Sequence, residues 1–163
     1  MNTRKLLFSI AACMVISVTA YGQSVENVLK QISNIKGVTT VYLSKSMLGS
    51  IKNTKPSGFN IGAVSSKLNY LEIITSDKKR DISSIRRLAK IIYNSPDYEQ
   101  LMRIKEDDEY IYICKKTTGK TTNVIMLIDE EDEFTIIHLD GIMSLADIQA
   151  LTKGNNIYNP AYQ

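Results

Sequence analysis

Between residues 98 and 139 the chain offers four β-rich segments in close succession: Tyr98 to Lys105, Tyr110 to Lys116, Asn123 to Ile128 and Phe134 to Leu139. The gaps between them hold Asp107-Asp108, Thr118-Gly119-Lys120 and five consecutive carboxylates, Asp129 to Glu133. All three gaps are short enough for hairpin loops, so the economical topology is an antiparallel meander. Its middle strands are apolar on both alternations. Ile111 and Ile113 fall on one face, Tyr110, Tyr112 and Cys114 on the other, and Val124 to Ile128 is apolar throughout. Such strands need cover on both faces. Helices supply it on one side, and a further helix or a second protomer on the other, which makes a homodimer one expectation.

The covering helices are legible from spacing. Val25, Val28, Leu29 and Ile32 recur on one helical face, with Gly37 behind them as a stop. Val38 to Leu43 and Tyr70 to Thr75 read as two further strands, "SKSMLGSI" as a short helix, and "KNTKPSGFNIG" as a loop punctuated by Pro56, Gly58 and Gly62. From Asp77 to Tyr93 the residues Ile82, Ile85, Leu88, Ala89 and Ile92 share one face, with Ser76 as the expected N-cap and Pro96 past the end. A last helix runs from Ser144 to Thr152. The fold class expected is α+β: a single domain over residues 23–153, an antiparallel meander with additional N-terminal strands and with helices packed on the sheet.

The first residues point to export. Arg4 and Lys5 precede an apolar run from Leu6 to Ala20, and Ala20-Tyr21-Gly22 places small residues where signal peptidase cuts. Residues 1–22 are therefore read as a signal peptide. Ile10-Ala11-Ala12-Cys13 has the form of a lipobox, but cleavage there would leave an apolar stub, so a lipid anchor at Cys13 is the disfavoured alternative. Removing Arg4 and Lys5 with the leader leaves 18 Lys+Arg against 17 Asp+Glu, so attraction to polyanions has to be local. Cys114 is then the lone cysteine, and stability rests on packing rather than on an internal disulfide. From Gly154 onward the polar "GNNIYNPAYQ" reads as a loose tail.

Two charged features invite a functional reading. In a meander the first and third turns lie at one end of the sheet, so Glu106 to Glu109 and Asp129 to Glu133 form a common acidic rim. Hard oxygen ligands suit calcium, with Glu106, Asp129, Glu131 and Asp132 as the candidate ligands. The alternating Asp/Asn loop with its glycine is absent, however, and a solvated hairpin rim that resists aggregation is preferred. The second feature is the stripe Lys79, Arg86, Arg87 and Lys90 on the long helix, a candidate surface for anionic lipid or lipopolysaccharide; a solvated face is again preferred. His138 is the one histidine, which excludes any two-histidine zinc site, and it reads as a packed strand residue. Cys114 and His138 would have a strand between them, about 10 Å apart, too far to form a nucleophile pair. "TTGKTT" lacks the upstream glycine of a phosphate-binding loop. Trp is absent and the nine Tyr are scattered, so no nucleic-acid partner is expected.

The stretches "GVTTVYLSKSML", "YEQLMRIKEDDEYIYICKK", "VIMLIDEEDEFTIIHLDG" and "SLADIQALTK", in this order behind a signal peptide, resemble domain-of-unknown-function family 4252 of exported Bacteroidetes proteins. The most specific parts are Val41 to Leu48, Leu101 to Glu106 and Met126 to Phe134. The family commonly has a Gly-Asp-Ile-Asp-like turn before its final helix; Gly141-Ile142-Met143-Ser144 departs from it and lacks those carboxylates. The resemblance implies an envelope location and carries over no activity, cofactor or catalytic residue. The expectation is thus an exported, non-enzymatic envelope domain, periplasmic or envelope-associated, that binds a protein or surface component. The alternative is a calcium-binding domain or an enzyme that uses the acidic rim.

Overall fold

The computed structural model describes residues 23–50 and 58–152. The leader with Cys13, Ile51 at the end of the expected short helix, residues 52–57 of the expected loop and the polar tail from Gly154 lie outside the described residues. The chain runs α1 (Val25–Ser33), β1 (Thr39–Ser44), α2 (Lys45–Leu48), two 3-10 turns (Ile61–Ala63 and Ser65–Lys67), β2 (Leu68–Ser76), α3 (Lys79–Tyr93), β3 (Glu99–Glu106), β4 (Glu109–Thr118), β5 (Thr121–Asp129), β6 (Phe134–Gly141) and α4 (Leu145–Thr152).

The four C-terminal strands form the expected meander, and the N-terminal strands extend it beyond β6. The sheet order is β1-β2-β6-β5-β4-β3, antiparallel at every junction. The β2–β6 junction sets Leu71 opposite Leu139 and Ile73 opposite Ile137 on one face, and Glu72 opposite His138 on the other. Thr75 and Thr135, also opposite each other, share a 2.9 Å hydrogen bond between their hydroxyls.

Both faces are covered by this chain's own elements, because β5 buries every side chain from Val124 to Ile128. On one face Val28, Leu29 and Ile32 of α1 join Ile82, Ile85, Ala89 and Ile92 of α3 against Ile74, Tyr112, Ile125, Leu127 and Ile136. On the other, Leu48 of α2, Phe59, Ile61 and Val64 of the segment before β2, and Ile148 and Leu151 of α4 close over Ile113, Met126, Ile137 and Leu139. The segment before β2 is pinned there by the Asn60 N–H, which donates to the Leu151 carbonyl at 2.9 Å. The second layer of cover therefore comes from within the chain, and the doubly apolar strands do not call for a second protomer.

Side-chain caps start α1 and α4, while the cap expected for α3 is displaced. Ser24 caps α1, its hydroxyl accepting from the Asn27 N–H at 3.3 Å. At α3 the N-cap is Lys78 rather than Ser76; the Ser76 hydroxyl accepts from the Lys78 N–H at 3.3 Å because β2 continues through Ser76 before the chain turns. At α4 the cap is reciprocal: Ser144 Oγ accepts from the Asp147 N–H at 3.3 Å while the Ser144 N–H donates to Asp147 Oδ2 at 2.8 Å.

Two of these contacts make measurable predictions. A Cβ on Gly141 would collide with the Lys67 carbonyl and stand 2.8 Å from Leu68 Cα, at the point where β2 and β6 begin to pair. Gly141→Ala is expected to destabilise the fold by about 2–3 kcal/mol in urea unfolding. Gly119→Ala, at an open turn with φ of +61° and nothing within 4 Å, should lose only about 1 kcal/mol. Asp147 is held down to about 2 by Lys67 first, at 2.6 Å, and then by the amide and hydroxyl of Ser144. Asp147→Asn should destabilise by about 1 kcal/mol at neutral pH. A carboxylate whose folded pKa lies below its unfolded value of ~3.9 stabilises fully above that value. The gap between wild type and variant should therefore shrink as pH falls below about 4 and close near about 2.

Candidate functional site

The acidic rim exists, and two of its nine carboxylates, Asp129 and Asp132, are paired with cations of α3. Glu106, Asp107, Asp108 and Glu109 of the β3–β4 turn line one shallow recess with Glu130 and Glu131 of the β5–β6 turn. The flanking carboxylates are tied to α3 and β2. Arg86 donates to Asp129 Oδ1 at 2.7 Å and to the Glu130 carbonyl at 2.8 Å, Lys79 lies 3.0 Å from Asp132, and Thr75 donates to Glu133 at 2.9 Å. Burial, with Glu109 and Glu133 as like charges nearby, pushes the Glu130 carboxyl up. Of the candidate ligands Glu106, Asp129, Glu131 and Asp132, the second and fourth are thus held by cations of α3, and Glu106 and Glu131 are exposed. Among the described residues no three His, Cys, Asp or Glu side chains come together in a way that could hold a metal ion.

The basic stripe is drawn into the same arrangement. Lys79 and Arg86 face the acidic turn, and their charged forms are favoured first by the hydrogen bonds to Asp132 and Asp129. Arg87 and Lys90 remain exposed. An anionic surface would have to displace Asp129 and Asp132 to engage all four cations. For Arg86 and Asp129, whose side chains are 41% and 21% exposed, a double-mutant cycle is expected to give a coupling of about 0.5–1 kcal/mol that fades in molar salt. The outlying Lys79–Asp132 pair should show no measurable coupling.

A different place combines exposure with a cavity. The two sheet edges differ sharply. β3 carries Glu99, Arg103, Lys105 and Glu106 and is broken by a register shift between Gln100 and Met102, the usual protections of a free edge. The sequence of β1, Thr-Thr-Val-Tyr-Leu-Ser, has no charge and no proline, and it pairs with β2 without a shift. Its Val41 and Tyr42 are 44% and 60% exposed. Among the described residues β1 has a neighbour on one side only.

Behind Tyr42 a row of register partners crosses the sheet: Tyr42 opposite Glu72, and Glu72 opposite His138. Tyr42 stacks on Tyr70 with ring centroids 5.6 Å apart, and Tyr70 meets the His138 ring edge-on at 5.3 Å. These side chains floor a cavity of about 290 Å³ roofed by Glu26, Leu29, Lys30 and Ser33 of α1. His138 is 5% exposed; its Nε2 lies 3.0 Å from Asn123 Oδ1 and 3.4 Å from the Tyr70 hydroxyl, and its Nδ1 lies 3.8 Å from Glu72. Burial, then Asp140, Glu72, Tyr42 and Glu26, push the Tyr70 hydroxyl up to about 12. The packed position expected for His138 is thus observed, but its pairing with Glu72 depends on a register that no local pattern reveals. The signal available in the sequence was the polar residue placed inside each apolar strand, Glu72 in "LEIIT" and His138 in "IIHLD".

Three groups that could do covalent chemistry, Cys114, Asp140 and Ser144, are otherwise engaged. Burial pushes the Cys114 thiol up to about 12, and β5 stands between it and His138. Asp140 accepts from Asn69 at 2.8 Å, and Ser144 is committed to the cap of α4. Among the described residues Cys114, Asp140 and Ser144 do not come together as a nucleophile beside a base.

No curated protein and no solved structure matches the chain. The family model described as Domain of unknown function (DUF4252) matches residues 30–151, from within α1 to within α4 and across every strand of the sheet. The chain belongs to this DUF4252 family.

Proposed function

We propose that this protein is an exported, non-catalytic binding domain of the cell envelope that captures an extended segment of a partner protein along β1. The observation that carries the proposal is the asymmetry of the edges. β3 is charged and interrupted, whereas β1 is uncharged, regular and exposed at Val41 and Tyr42. An unprotected edge is a template for strand addition, with main-chain hydrogen bonds giving affinity and alternate side chains giving specificity. The leader-like residues 1–22 support export. The engaged state of Cys114, Asp140 and Ser144 supports binding over catalysis.

Phage-displayed random peptides panned on the purified protein test this directly. Peptides that bind should slow hydrogen exchange at the β1 amides that point away from β2. They should also lose about tenfold or more in affinity for Val41→Lys, which gives β1 the kind of charge that guards β3. Peptides that protect another surface, or that bind Val41→Lys as tightly as wild type, would overturn the proposal.

A further inference from the structure

The cavity beside β1 has a composition that names its ligand. Two carboxylates face it, Glu26 from α1 and Glu72 from β2, together with the rings of Tyr42 and Tyr70 and the nearly buried His138. Lys30 is the one cation of α1 on its lining; it is exposed and has no carboxylate within 4 Å among the described residues. The Glu72 side chain is 23% exposed, and its nearest basic nitrogen among the described residues is His138 Nδ1 at 3.8 Å, too long for a hydrogen bond. A largely buried carboxylate without a close cation, set beside stacked aromatic rings, is a receptor for positive charge. At about 290 Å³ the cavity lies just below the range of roughly 300–1,000 Å³ typical of whole small-molecule sites, and it suits one side-chain head group.

Its position relative to the edge decides where that head group comes from. A strand added to β1 lies about 4.8 Å away, and the residue opposite Tyr42 sends its side chain to the face that holds Tyr42, Glu72 and His138. A lysine or arginine there crosses the Tyr42 ring and directs its charge toward Glu72 under Glu26. We infer that the cavity is a specificity pocket for the ammonium or guanidinium group of a lysine or arginine in the segment docked on β1. This assignment rests on the strand-docking function proposed above and adds the chemistry of the partner: an extended, otherwise uncharged segment with one basic residue opposite Tyr42.

The pocket can be tested apart from the edge. Nα-acetyl-lysine methylamide and Nα-acetyl-arginine methylamide are titrated into the purified protein while the ring resonances of Tyr42, Tyr70 and His138 are followed by NMR, with the norleucine analogue as the uncharged control. At least one cationic probe should give saturable shifts that the norleucine analogue does not. Glu72→Gln should abolish those shifts, Tyr42→Ala should weaken them severalfold, and Val41→Lys, on the opposite face of β1, should leave them in place. Equal shifts from norleucine, no saturable shifts from either cation, or full binding by folded Glu72→Gln would each overturn the pocket. Peptides selected for β1 binding should in turn lose about tenfold in affinity when their one basic residue becomes norleucine. If peptide binding ignores Val41→Lys while the free cations still bind through Glu72, strand docking fails and the cation pocket stands. If peptide binding needs β1 but ignores Glu72→Gln, the pocket fails and strand docking stands.

Discussion

The antiparallel pairing of β2 with β6 is the constraint on which the rest of the molecule depends. Without it the meander would end on β6, a strand buried from Phe134 to Leu139 on both faces and unable to serve as an edge. With it β1 and β2 are carried into the sheet, and α2 and Phe59 to Val64 are brought over the second face. The pairing requires close backbone approach at Gly141, where the Ile142 N–H also donates to the Lys67 carbonyl at 3.0 Å. One long-range junction therefore closes both layers of core and aligns Glu72 with His138.

The charged surfaces follow from the same geometry. Five successive carboxylates on one turn repel one another, and α3 packs so that Arg86 and Lys79 reach Asp129 and Asp132 from the side. Exposed pairs of this kind contribute little energy each, and their effect is to soften like-charge repulsion at a tight turn. Read one at a time, the acidic run looks like a cation site and the basic stripe like an anion site. Brought together, they neutralise each other at two points, Arg86 with Asp129 and Lys79 with Asp132.

The two edges of the sheet, β1 and β3, differ in how they are protected. Natural sheets guard their edges with charge and bulges, and this protein applies both to β3 while leaving β1 without either. The cavity next to it combines aromatic rings with a poorly neutralised carboxylate, and both belong to the row that begins at Tyr42. Edge and cavity are continuous, so a segment that adds to the sheet necessarily presents side chains to the cavity.

Local chemistry made much of the architecture legible. Helical spacing marked α1 and α3, alternation and short polar gaps marked the meander, and apolar residues on both faces of β5 required two layers of cover. Each of these properties depends on neighbours within a few residues or on the period of a single element, so the sequence by itself determined them. It also determined that Cys114 and His138 stand on opposite sides of an intervening strand. It could not determine that Arg86 would meet Asp129, that Phe59 and Leu48 would replace a second protomer as cover, or that Tyr42, Glu72 and His138 would form a row. Those contacts join residues separated by tens of positions and depend on the order and register of the sheet. Tertiary structure alone decided them, because register is selected by burial summed over the whole sheet and leaves no mark on any single segment.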